Sequence, residues 1–168
     1  MGLAVKETPA ASESPLSDQL AWLLSRASYA LATELTAGLS SLGLSPRGHC
    51  VLSSAMGGQY TQTELARMVG LDKTTMVVTL DELEAAGLAK RVPASHDRRA
   101  RVVAVTKAGE RKIREGEEIV SRIQDDVLGT LPARQRQVLM DALATLVRDR
   151  LSEGVECSPS VRRREPRA

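Results

Sequence analysis

The sequence predicts a mainly α-helical fold with one small β-hairpin. In six segments, apolar residues recur at intervals of three or four, as on one face of an α-helix. Between residues 88 and 105 the spacing falls to about two, and a loop separates two short apolar runs, as in a hairpin. Two short helical segments directly precede this hairpin. That order predicts a winged helix-turn-helix flanked by long helices.

Capping residues define the first two helices. The first is predicted over about residues 15–42, where leucines recur along one face and Gly43 ends the segment. The second begins at Ser45-Pro46, with the serine as N-cap and the proline at the first helical position. It ends at Gly57-Gly58.

The next two helices form the predicted helix-turn-helix. Thr61 and Glu64 have the spacing of a capping box at the start of the third helix, which Gly70 ends. Asp72 caps the fourth helix, predicted over residues 73–86. The residues expected to face inward there are Met76, Val77, Leu80 and Leu83.

The strands of the hairpin are predicted at residues 88–92 and 101–105. Thr106 caps a long helix that reaches about Leu128, and a last helix covers about residues 132–151. The ends of the chain are rich in small, polar or basic residues, which predicts disordered tails at residues 1–15 and 153–168.

Composition narrows the classes of function. The 168 residues suit one domain with a core of its own. Two cysteines and two histidines, without metal-ligand spacing, argue against a disulfide framework and a zinc site, so we expect no metal and no cofactor. No apolar run has the length of a membrane span, and the N-terminus does not have the pattern of a signal peptide, so we expect a cytoplasmic, nucleoid-associated protein. A net charge of +2 is uninformative, and only the placement of the charges can indicate a nucleic-acid partner.

That placement predicts binding to double-stranded DNA. The second helix of a helix-turn-helix enters the major groove by its N-terminus, while the first lies across the backbone. Polar side chains at these two helix starts are the predicted contacts: Thr61, Gln62, Thr63, Lys73, Thr74, Thr75 and Thr79. Arginines on a narrow hairpin can reach a minor groove, which adds Arg91, Arg98, Arg99 and Arg101.

Residues 62–67, 70–76 and 83–88 closely resemble the DNA-binding core of the MarR (multiple antibiotic resistance regulator) family, and 97–109 resemble its wing. The resemblance implies a homodimer that binds a pseudo-palindromic operator, most often as a repressor that a small aromatic or phenolic ligand releases. It also implies that Arg99 reaches the minor groove and that Asp97 braces the wing. By place in the family architecture, the candidates for the ligand cleft are Trp22, Ser25, Tyr29 and His49.

The resulting domain assignment is one MarR-like domain at residues 16–152. Within it, residues 45–106 form the DNA-binding lobe, and residues 16–43 and 107–151 supply dimerisation helices. Two alternatives stay open: a regulator that senses oxidants through Cys50, and a winged helix that binds proteins without reading DNA. The sequence has no cluster with the spacing of a catalytic site, so we expect no enzyme.

Overall fold

The computed structural model describes residues 15–95 and 100–152. The predicted fold class is confirmed, since six helices and one antiparallel hairpin appear in the expected order. Residues 1–14, 96–99 and 153–168, with the predictions made for them, lie outside the described residues. The elements are α1 (Leu20–Ser40), α2 (Pro46–Ala55), α3 (Gln62–Val69), α4 (Lys73–Ala85), β1 (Ala89–Pro93), β2 (Arg101–Val105), α5 (Lys107–Gly129) and α6 (Ala133–Arg148).

The predicted caps of the helix-turn-helix are confirmed. The Thr61 hydroxyl accepts from the Glu64 amide at 3.3 Å, and the Glu64 carboxylate accepts from the Thr61 amide at 2.7 Å. Asp72 caps α4 by accepting from the Thr75 amide at 3.0 Å. Gly70 ends α3 in the left-handed conformation, at φ 68°, where a side chain would be strained. These local bonds fix where both helices start and end.

The core lies under the helix-turn-helix. It is built from α2, α3, α4 and the hairpin, and its largest fully buried side chains include Leu52, Leu65, Met76 and Leu80. One inward position in α4 was predicted wrongly. Val77 is only partly buried, whereas Thr79 takes the core position with 4% of its surface exposed.

The hairpin is joined to the helix-turn-helix by backbone bonds. β1 pairs with β2 in an antiparallel register that places Ala89 opposite Val105 and Pro93 opposite Arg101. On the outer side of β2, the Val103 amide donates to the Tyr60 carbonyl at 2.9 Å. An isolated antiparallel bridge also pairs Thr61, the residue directly before α3, with Val102 of β2. The segment that leads into α3 therefore holds the wing in place.

Hydrogen bonds and a close backbone contact connect the residues directly before β1 to the start of α5. The Thr106 hydroxyl donates to the Gly87 carbonyl at 2.8 Å and accepts from the Gly109 amide at 3.1 Å. The Thr106 amide donates to the Leu88 carbonyl at 3.0 Å. A Cβ on Gly109 would collide with that carbonyl oxygen and lie 2.7 Å from Val105 Cγ1. Only a glycine lets α5 begin this close to the hairpin.

The chain divides into two compact units, residues 1–124 and 125–168, and α5 crosses the boundary. In the first unit, α1 buries only Leu39 of its 21 residues, although it carries many leucines. In the second unit, α6 has no buried residue. The apolar faces of these two helices are thus largely exposed in the single chain.

Gly109→Ala should destabilise the fold by about 1–3 kcal/mol, because the added methyl group forces α5 away from the backbone at Leu88. Gly129→Ala is the matched control: nothing lies within 4 Å of its Cβ, and alanine should stabilise the helix by up to about 1 kcal/mol. Urea denaturation of both variants checks the pair. Equal unfolding midpoints would contradict the proposed close contact.

Candidate nucleic-acid interface

The fold presents one face of α4 outwards. Met76, Leu80 and Leu83 anchor the opposite face in the core. Helical spacing then places Thr74 and Val78 on the outward face, where both are exposed. The Val78 side chain, 52% exposed, was missed by the sequence reasoning, which looked for polar contacts. An apolar side chain at such a position can contact a thymine methyl group in a major groove.

The side chains predicted to contact DNA at the start of α4 differ in their exposure and in whether they already make hydrogen bonds within the protein. Lys73 and Thr74 are exposed, as a contact to DNA requires. The Thr75 hydroxyl donates to the Asp72 carboxylate at 2.6 Å, and the Thr75 amide uses the same carboxylate. Thr75 therefore serves first to begin the helix. A contact from Thr75 to DNA would have to share its hydroxyl with this cap.

The structure brings the starts of α3 and α4 together around a cleft of ≈ 180 Å³. Gln62, Thr63 and Lys73, three of the predicted contacts, line it, while the Thr61 hydroxyl is engaged in the capping box. Arg67, exposed on α3, lines it too and was missed. Its position four residues after Thr63, hence on the same helix face, was the available signal. Two cations and two helix N-termini suit a phosphate.

Thr79 does not belong to this surface. Its side chain is buried, and its hydroxyl donates to the Thr75 carbonyl at 2.8 Å within the helix. A hydroxyl directed into the protein cannot reach a base edge or a phosphate. The DNA contact predicted for Thr79 is therefore corrected to a role in packing.

The wing is oriented by hydrogen bonds just beyond the point where its two strands meet the loop. The Ala94 amide donates to the Ala100 carbonyl at 2.9 Å, closing the loop. The Gln59 side chain accepts from the Ser95 amide at 3.1 Å and from its hydroxyl at 2.9 Å. Arg101 is exposed at the start of β2, as predicted. The predicted roles of Asp97, Arg98 and Arg99 fall outside the described residues and stay predictions.

Arg91 has partners that the sequence did not suggest. Its guanidinium pairs with Asp81 at 2.8 Å and with the Glu84 carboxylate, both on α4. Its amide donates to the other Glu84 oxygen at 2.7 Å, and its guanidinium lies 3.5 Å from the Gln62 side-chain oxygen. Only 27% of the side chain is exposed. Arg91 was predicted to contact DNA, but its guanidinium is directed onto α4.

None of the four residues proposed for a ligand cleft lines either of the two clefts described in this section. His49 is buried with 7% of its surface exposed, and its Nε2 has no hydrogen-bond partner among the described residues. It packs where a Cβ on Gly116 would lie 2.9 Å from Nε2. Ser25 and Tyr29 are exposed on α1, and Trp22 is partly buried there.

A different cleft, of ≈ 520 Å³, lies between α1, the start of α2 and α4. Its wall is mixed: an arginine and a glutamate, several hydroxyls and some apolar surface. None of the four proposed residues lines it. The ten residues that do are Ala32, Thr36, Ser45, Pro46, Arg47, Thr74, Thr75, Val78, Thr79 and Glu82. Four of them belong to the first half of α4, so this cleft adjoins the outward face.

Cys50 lies on the exposed side of α2 as a free thiol. Partial burial of the thiol group raises its pKa above the ordinary value. Redox sensing needs the thiolate, which a raised pKa disfavours. The environment of Cys50 therefore gives the oxidant-sensing alternative no support.

Within 15–95 and 100–152, no group of three histidine, cysteine or acidic side chains is placed to hold a metal ion. No helix in those same ranges has the length and hydropathy to span a membrane.

Comparison with known proteins identifies the family. The MarR family model matches residues 42–100, which contain the helix-turn-helix and most of the wing. The crystal structure of transcriptional regulator PA3341 is 30% identical over 79% of this chain and 98% of its own, with a TM-score of 0.69. The chain belongs to the MarR family. It is a DNA-binding transcription regulator with a winged helix, and not an enzyme.

Other MarR-like structures contain DNA or a ligand. CouR of Rhodococcus jostii RHA1 bound to p-coumaroyl-CoA is 28% identical over 84% of this chain and 98% of its own, with a TM-score of 0.72. CouR bound to a 23-mer DNA duplex is 26% identical over 84% and 99%, with a TM-score of 0.74. The Mycobacterium tuberculosis MarR family protein Rv2887, in complex with p-aminosalicylic acid, is 27% identical over 76% and 97%, with a TM-score of 0.63.

Thr74→Ala should weaken binding to a cognate duplex by roughly tenfold, because it removes one hydroxyl from the outward face of α4. Its effect on the melting temperature should be small, since Thr74 is exposed. Thr79→Ala is the matched control, because Thr79 lies on the buried face of the same helix. It should cost about 1–2 kcal/mol of unfolding free energy and leave the DNA affinity of the folded protein unchanged. Fluorescence anisotropy and thermal unfolding separate the two effects, and the opposite pattern would restore Thr79 to the interface.

Proposed function

We propose that this protein is a homodimeric repressor that binds a pseudo-palindromic operator with α4 in the major groove. The observation that carries the proposal is the outward face of α4, where Thr74 and Val78 are exposed beside Lys73. Hydroxyl, methyl and ammonium groups are the chemistry that reads base edges and phosphates. The protein would act in the cytoplasm, on the nucleoid.

The proposed dimer rests on the exposed apolar residues of the two terminal helices. On α1 these are Leu20, Leu23, Tyr29 and Leu31, and on α6 they are Val138, Leu139, Met140 and Val147. Monomeric proteins rarely expose such stretches of apolar surface. A second copy of the chain would cover them and, by its two-fold symmetry, present two α4 helices to two half-sites.

For the effector, we propose a small aromatic acid or its thioester, bound in the cleft between α1 and α4. Arg47 provides a cation for a carboxylate or phosphate, and Ala32, Pro46 and Val78 provide apolar wall. The ligands in the CouR and Rv2887 structures are of this class. Because Thr74 and Val78 lie both in the cleft wall and on the outward face, a bound ligand would affect the DNA-reading surface directly.

Selection of bound duplexes from a random pool tests the repressor proposal. We expect an enriched site with two inverted half-sites about one helical turn apart, bound by a species that sediments as a dimer. Binding should weaken steeply as salt rises, because the protein displaces counterions from phosphates. If no duplex is enriched at low salt, a winged helix that binds proteins becomes the better interpretation.

Ala32→Leu should abolish release from the operator by a ligand while leaving affinity without ligand unchanged, because the larger side chain fills the cleft. Ala30→Leu, an exposed α1 position that does not line the cleft, is the matched control and should respond like the parent. Aromatic acids and their coenzyme A thioesters are screened by thermal shift, then titrated against the protein–operator complex. Equal responses of both variants would place the effector elsewhere.

A further inference from the structure

The C-terminal half of the DNA-reading helix is acidic. Asp81, Glu82 and Glu84 follow one another within four positions of α4. Asp81 lies seven residues after Thr74, hence on the same outward face, and 60% of its side chain is exposed. Carboxylates at this position repel the phosphates of any duplex that α4 approaches. DNA binding therefore requires that their charge be offset.

Arg91 is placed to offset that charge. Its guanidinium lies between two of these carboxylates, at 2.8 Å from Asp81 and in contact with Glu84. It comes from β1, and its amide is also held by Glu84 at 2.7 Å. The hairpin register and this backbone bond therefore place the guanidinium, in addition to the conformation of the long Arg91 side chain. No second arginine or lysine makes an ion pair with Asp81 or Glu84 within residues 15–95 and 100–152.

We propose that Arg91 is a positioning residue for DNA binding: it neutralises Asp81 and Glu84 on α4 and fixes the wing to that helix, without contacting DNA itself. The proposal rests on the proposed binding of an operator. In this proposal, Arg91 raises the affinity for DNA only by neutralising the two carboxylates with which it pairs. It also explains why an acidic helix end is compatible with a DNA-reading surface.

A mutant cycle tests this proposal, using the full chain and a duplex that the parent binds. Arg91→Gln should weaken binding by roughly tenfold at low salt, because two like charges are unmasked near the phosphates. The loss should be similar for operator and unrelated duplex and should shrink as salt rises. In the background Asp81→Asn with Glu84→Gln, the same Arg91→Gln change should cost less than about threefold.

Arg101→Gln is the matched control, because Arg101 is an exposed wing arginine that pairs with no carboxylate among residues 15–95 and 100–152. Its cost should be the same in the parent and in the Asp81→Asn, Glu84→Gln background. Thermal unfolding of every variant gives the folded fraction. The Asp81→Asn, Glu84→Gln protein itself separates charge masking from a purely structural role, because it lacks the ion pairs but keeps Arg91. Charge masking predicts that it binds DNA at least as tightly as the parent, whereas a purely structural role predicts that it binds as weakly as Arg91→Gln.

An equal loss from Arg91→Gln in both backgrounds would overturn the proposal and indicate a direct contact with DNA. The proposal would also be overturned if the Asp81→Asn, Glu84→Gln background reduced the cost of Arg91→Gln and of Arg101→Gln equally. The reduction would then reflect the overall charge of the protein and not the specific ion pairs of Arg91. If Arg91→Gln alone is too unstable to measure, the doubly neutral and triply substituted proteins still decide the point. A parent that binds no duplex at all would instead refute the proposed function.

Discussion

The burial of one face of α4 is the constraint on which the DNA-binding surface depends. Met76 is fully buried and Leu80 is 1% exposed, so the helix cannot rotate about its axis without opening the core. Core side chains of this kind contribute about 2–5 kcal/mol each when compared with alanine. Because the inward face is fixed, the outward face is fixed too. The rotational setting of Thr74 and Val78 is therefore a consequence of packing in the interior.

Three contacts hold the wing in place, and one of them reaches α4. The Tyr60 carbonyl holds β2 by its backbone, Arg91 joins β1 to α4 by charge, and Thr106 joins the hairpin to α5. None of these contacts needs the wing tip. The tip can therefore vary in sequence while the direction of the hairpin stays the same.

The sequence predicted what local chemistry determines. The caps at Ser45, Thr61 and Asp72 involve residues three apart, so spacing alone was enough to identify them. It failed where a contact depends on tertiary structure. Thr79 was assigned to DNA because it is polar, but a hydroxyl that bonds the carbonyl four residues back can be buried at little cost. The partners of Arg91 depend on the hairpin register, and the ≈ 520 Å³ cleft depends on the approach of α1 to α4. Neither feature produces a motif that can be recognised in the sequence.

The exposed faces of α1 and α6 connect stability with DNA binding. Most helical stability in proteins comes from the packing of an apolar face and not from intrinsic helix propensity. In the single chain α1 buries one residue and α6 none, so these helices gain little from packing. In the proposed dimer that packing comes from the second copy, and the unfolding free energy then depends on protein concentration. The contacts that pair two α4 helices for a palindrome would then also be the contacts that complete the fold.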